Sequence, residues 1–274
     1  MAAADANVDL RRTNAGFGRA LSAEWTKLRT ETANLWMLLG TVLLTVGIGA
    51  GVAGTTKCPS LGCAQDAGKL SLTGIMAGQV VVAIVAVLMV GNEYSTGMIR
   101  TTFTAMPRRT EVLAAKAAVL SAVTAAAGLV SVLGSILVGK LVLPGNGFTA
   151  RNGYAALLGD GGTQLRVVVG SVLYLVLIAL LGLGIVTAVR SSAGAIGIVL
   201  ALLFVFPILI HVVSNPTWQR HLNQIAPMSA GLGVQTTLDV GKLPIGPWQG
   251  LGVVALWAAA ALAVGGTLLR SRDA

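Results

Sequence analysis

The sequence predicts an all-α, polytopic membrane protein: six transmembrane helices, an N-terminal amphipathic interfacial helix, and short extracellular helices between spans five and six. Three observations predict it. Only 11% of the 274 residues are charged, against roughly 25% in soluble domains, and the mean hydropathy is +0.81. Six apolar runs reach about the 20 residues that a helix needs to cross a bilayer. The charges collect between those runs. Lipid offers no partner to free backbone groups, so each run must be helical.

The chain opens with a polar arm, 1–34, expected to be cytoplasmic, and continues as one six-span domain, 35–274. Asp5 and Asp9 stand among the arm's basic residues. A cleavable signal has a shorter n-region without acids, so the arm is expected to be retained. At 100° per residue, Phe17, Leu21, Trp25 and Leu28 share a narrow arc, with Arg19, Ser22, Thr26 and Arg29 across from them and Glu24 at the edge of the stripe. That pattern predicts a helix in the membrane interface with Trp25 at headgroup depth. A plain membrane anchor with no mechanistic part is an equal reading of it.

The spans are expected at 35–54, 72–91, 117–139, 167–189, 193–213 and 250–269. An even number puts both termini on one side. That side carries 12 of the 19 lysines and arginines and the other side 7, so the positive-inside rule places both termini in the cytoplasm. The net charge of +9 is therefore topological, and no polar domain is long enough to bind nucleic acid. Cys58 and Cys63 fall in the first outside loop, where an oxidising compartment favours a disulfide; two free thiols are the alternative. Two cysteines with no nearby histidine do not make a zinc site. Between spans five and six, Pro216, Pro227, Pro244 and Pro247 break the segment 214–249 into pieces too short to span, and Trp218 and Trp248 suit the outer interface.

With these boundaries no Asp or Glu lies inside a span, and His211, near the outer end of the fifth, is the one ionisable candidate. Ion-coupled carriers usually hold carboxylates at the midplane. The sequence contains no HExxH, GxSxG or P-loop; GAGVAGTTK, from Gly49, has threonine where the P-loop lysine belongs. The chain is thus expected to be no enzyme and to hold no metal, and any uphill work must draw on another polypeptide.

The segment after the second span is where such work could enter. Ser95, Thr96 and Gly97 suit a turn. Met98 to Ala105 can form two helical turns with Met98, Ile99 and Phe103 as apolar knobs, and Pro107 ends them. Arg108, Arg109 and Lys116 lead into the third span. A groove on a partner could grip such a helix; equally, the basic residues could only enforce topology and bind anionic lipid. Two GxxxG pairs, Gly47 with Gly51 and Gly74 with Gly78, permit close helix approach within one subunit or between two.

On Glu93, Gly97, Pro107, Arg108 and Lys116, matching in order and spacing, this loop resembles the cytoplasmic loop of ABC-2-type transporter permeases. The arm from Leu21 to Thr30, LSAEWTKLRT, is similar to the N-terminal connecting helix of bacterial members. The resemblance implies a permease subunit in the bacterial cell membrane that pairs with a second copy or a similar chain. Each copy would sit on a separate ATP-binding subunit, which would hold the ATP and Mg; this chain would carry no cofactor. The loop would act as a coupling helix, with Glu93 and Arg100 as charged contacts. The importer signature is absent, which favours export, and the sparsely charged spans point to a hydrophobic or amphipathic cargo such as a drug, a lipid or a natural product. In that family the second and fifth spans tend to line the path and the dimer interface, which here offers Thr73, Gln79, Phe204, Phe206 and Pro207; an interhelical hydrogen bond is the competing reading of Gln79. A non-transporting scaffold and an ion-coupled carrier are the alternative functions.

Overall fold

The computed structural model describes residues 17–58, 63, 65–105, 108–154 and 160–271, apart from the side chains of 100, 103 and 105. Among them six helices are long and apolar enough to cross a membrane, and no strand occurs. The arm forms α1 (17–30), broken from the first span, α2 (Thr32–Thr55), by the extended backbone of Glu31. After α3 (Ala67–Ser71) comes the second span, α4 (Ile75–Ser95), then the short α5 (Met98–Ala105) and the long third span, α6 (Arg109–Val142). The fourth span is α7 (Gly161–Val189). The fifth is composite: α8 (Ser192–Leu200), a π-turn (Ala201–Val205) and α9 (Phe206–Val212). Two short helices, α10 (Pro216–Ile225) and α11 (Pro227–Leu232), precede the sixth span, α12 (Pro247–Ser271).

Helix boundaries correct the hydropathy reading at three places, one of them the fourth span, which begins at Gly161 rather than 167 and carries Arg166 inside it. The second span starts later than 72 and runs past Glu93 to Ser95, so a carboxylate lies in its last turn. The third begins at Arg109 rather than 117 and carries Lys116 inside it. Window hydropathy charges each ionised group the full transfer cost of an isolated ion, whereas paired ions are tolerated.

Helix α7 is the hub of the bundle, packed on α12, α6, α4 and α8, while α2 packs on α6 and α4. Small residues bring these helices together. A Cβ on Gly184 of α7 would meet the Ala261 carbonyl carbon of α12 at 2.5 Å, and one on Gly74 would meet the Thr45 carbonyl oxygen of α2 at 1.8 Å. Dispersion between close backbones drives such contacts in lipid, where apolar burial gains nothing. The second GxxxG pair thus packs within the subunit: Gly74 and Gly78 both abut Thr45, whereas a Cβ on Gly47 or Gly51 would meet nothing within 4 Å.

The π-turn has a local cause. Pro207 supplies no N–H and its ring would press on the carbonyl four residues back. The chain widens just before it, and the Phe206 N–H donates to Ala201 O, five residues earlier.

At the end opposite the termini the loops are tied down. Cys58 and Cys63 form a disulfide. The Cys58 N–H donates to Asn146 O at 2.8 Å, and the Tyr154 hydroxyl donates to Gln65 O at 2.9 Å. Gly147 has φ +95°, and a Cβ there would meet Cys58 O at 2.0 Å, so only glycine fits. Asp66 caps α3 through the Lys69 N–H at 3.0 Å. It also accepts from the Thr237 hydroxyl at 2.6 Å and the Leu238 N–H at 3.0 Å, which fastens the first loop on this side to the segment before α12.

Candidate functional site

Helix α1 meets the bundle along a face that the apolar stripe only half predicts. Ala20, Glu24 and Leu28 are buried, whereas Phe17, Leu21 and Trp25 are exposed. The stripe therefore divides: one edge faces the bundle and the other points outward, where lipid would lie. Glu24, at the inward edge, brings a carboxylate into the protein.

That carboxylate completes a closed ring of four charges. Lys116 Nζ of α6 lies 2.8 Å from Glu24 Oε2 and 2.7 Å from Glu93 Oε1 of α4. Lys27 Nζ of α1 lies 3.2 Å from Glu24 Oε1 and 2.8 Å from the same Glu93 Oε1. The side chains of Lys116, Glu24 and Glu93 are only 3–5% exposed, and Lys27 is 36% exposed. Two carboxylates and two ammoniums leave no net charge, which is the condition for burying such groups at tolerable cost. Glu93 Oε2 has no hydrogen-bond partner among the described residues. Burial alone would depress the Lys27 ammonium, but its hydrogen bond to Glu93 and the charges of Glu24 and Glu93 outweigh that and hold it above the ordinary lysine range.

The short helix α5 follows α4 and packs against it. Gly97, with φ +73°, turns the chain between α4 and α5, a conformation that other residues adopt at a cost. Ile99 is buried, Met98, Thr101 and Thr104 are exposed, and a cavity of about 220 Å³ is lined by Thr101 and Thr102 of α5, Glu24 and Lys27 of α1, and Val112 of α6. One face of α5 is thus held beside the charge ring while the other is open.

The sequence-predicted loop residues fall into three groups. Glu93 and Lys116 are in the ring, buried and paired within the subunit. Arg108 is exposed and paired with Glu111 at 2.9 Å, and Arg109 donates to Leu269 O at 2.7 Å, tying the start of α6 to the end of α12. Pro107 lies outside the described residues, as do the side chains of Arg100 and Phe103, whose backbone is in α5.

The residues assigned to a path occupy different surroundings. Gln79 is fully buried; it accepts from the Tyr174 hydroxyl of α7 and donates to Met228 Sδ of α11 at 3.4 Å. That is the interhelical bonding the sequence left as an alternative. Thr73, just before α4, donates to Lys69 O at 3.2 Å. Phe204 packs on the main core, Phe206 lines a lateral groove, and Pro207 follows the π-turn.

Sequence reasoning did not pair Glu24 and Lys27 with the loop. The available signal was an acid and a base three residues apart at the edge of an apolar stripe, with a lone base and a lone acid flanking the spans nearby. Comparison with known proteins adds two findings. No curated protein matches the chain. A family model described as ABC-2 family transporter protein matches residues 20–215, from α1 through the fifth span.

Proposed function

The chain belongs to the ABC-2 family of transporter proteins, and from that premise we propose that it is the permease subunit of an ATP-driven exporter, powered by a separate ATP-binding subunit through α5. Members of this family generally work with an ATP-binding subunit and dimerise. The chain itself is a multi-pass membrane protein and a transport component.

One observation carries the reading: α5 offers an open face at the termini end of the bundle, packs on α4, and faces across a small cavity the buried ring of charges that joins α1, α4 and α6. A push on α5 would reach α4 directly through Gly97, and the ring joins α4 to α1 and α6. Both termini and α5 lie on the cytoplasmic side of a bacterial cell membrane, as the distribution of basic residues supports. Export is supported by the absence of the importer signature. Sparsely charged spans favour a drug, a lipid or a natural product as cargo. ATP and Mg belong to the partner, and a second copy or a similar chain completes the assembly.

The test is ATP hydrolysis in liposomes that contain the ATP-binding subunit with or without this chain. The chain is expected to change turnover several-fold, and Thr104→Trp, on the open face of α5 and outside the cavity beside the charge ring, is expected to abolish that change while the protein still inserts. Unaltered hydrolysis in the presence of the chain, or gradient-driven uptake by the chain alone, would overturn the proposal.

A further inference from the structure

A second site lies at the end of the bundle opposite the termini, where α7 and α12 begin. A pocket of about 400 Å³ opens there. Asp160, Thr163 and Arg166 give it a polar wall, and Leu165, Val169 and Trp248 an apolar one. Asp160 Oδ1 caps α7 by accepting from the Thr163 N–H at 2.9 Å. Arg166 Nη2 donates to Thr236 O at 2.7 Å, and its buried Nε has no partner among the described residues. The ion pairs among the described residues include neither Asp160 nor Arg166. Two opposite charges thus line one space without pairing across it. The apolar wall is uncovered: Leu165 is 66%, Trp248 54% and Val169 38% exposed, and all three belong to membrane-spanning helices.

We propose that this pocket binds the headgroup of a zwitterionic phospholipid from the leaflet opposite the termini, with its phosphate at Arg166 and its ammonium at Asp160 and Trp248. A guanidinium offers forked donors that match phosphate oxygens. A carboxylate and the face of a tryptophan both attract a cation. A ligand with only negative charge would gain at Arg166 and lose at Asp160, and one with only positive charge the reverse. A group that carries both signs a short distance apart complements the two walls together. Depth favours a lipid over a dissolved solute. Tryptophan at the end of a span marks headgroup level, and Leu165 and Val169 continue from the polar wall along α7, about one helical turn apart. Acyl chains below a bound headgroup would lie along them. The site does not depend on the exporter reading.

Lipid retention tests it. The full chain is purified in detergent and offered equal amounts of phosphatidylethanolamine and phosphatidylglycerol, and the lipid that stays bound is read by native mass spectrometry. The wild type is expected to keep phosphatidylethanolamine at least fivefold over phosphatidylglycerol. Asp160→Asn removes the negative charge but leaves a side chain that caps a helix equally well, so the chain should fold as before and the preference should vanish or reverse. Trp248→Leu keeps an apolar contact without the ring and should lower phosphatidylethanolamine retention at least threefold. Arg166→Gln should lower retention of both lipids. Glycerophosphoethanolamine, the same headgroup without acyl chains, should displace no lipid at equal concentration. Displacement by it would mean a soluble ligand and would overturn the lipid assignment. Equal retention of the two lipids by the wild type, or an Asp160→Asn chain with the wild-type preference, would overturn the site. So would lipid that binds only after dimers are dissociated, since a second copy would then cover the pocket.

Discussion

Lys116→Met is expected to destabilise the protein by about 3–5 kcal/mol, the usual cost of removing one partner from a buried ion pair. The ammonium is 3% exposed and touches both carboxylates, at 2.8 Å and 2.7 Å. Without it, Glu24 and Glu93 share Lys27 alone, and two buried carboxylates with one counter-charge cannot both stay ionised cheaply. Thermal unfolding in detergent should show the loss as a lower midpoint, and hydrogen exchange over 17–30 should rise because α1 loses its inward anchor. The double variant Lys116→Met with Glu93→Gln removes one charge of each sign and keeps the Glu24–Lys27 pair, so it should recover much of the stability. If the single variant melts like the wild type, the ring does not hold α1 to the bundle.

A comparable loss, at or above the roughly 1–3 kcal/mol of ordinary overpacking, is expected for Gly74→Ala. The new Cβ would lie 1.8 Å from Thr45 O and 3.0 Å from Gly49 N, both backbone atoms of α2. Neither can swing aside as a side chain would, so the first two spans must separate. Gly47→Ala provides the contrast. It belongs to an equally plain GxxxG pair, but its Cβ would meet nothing within 4 Å, so the change should stay within about 1 kcal/mol, the helix-propensity difference between the two residues. Both are read from unfolding midpoints of the purified variants. Equal effects at the two glycines would mean that the crossing of α2 and α4 is not the close contact described.

The spans were legible because bilayer thickness imposes a length and a hydropathy that few other constraints mimic. What hydropathy could not see is pairing. Glu93 and Lys116 each raised the apparent cost of extending a span, yet their mutual contact is what allows α4 and α6 to extend. Glu24 had the same ambiguity: its edge position fits a residue reaching for water as well as one reaching for lysine, and only the approach of α1 to α6 decides. The two glycine pairs were indistinguishable in sequence because GxxxG states that close approach is possible, not which neighbour arrives. Pro207 marked a disturbance in the fifth span, but the π-turn before it depends on how the chain relieves the missing donor. Gln79 showed the same limit, since a buried amide reads alike whether it meets a cargo or Tyr174.

The central claim is that force enters through the open face of α5. The native cysteines are joined in a disulfide at the opposite end of the bundle, so Thr104→Cys supplies a thiol free to react on that face. In the complete complex, a short thiol-to-amine crosslinker at position 104 is predicted to join this chain to the ATP-binding subunit, with a yield that changes when ATP is added. A complex that hydrolyses ATP at the normal rate yet gives no such adduct would contradict the account.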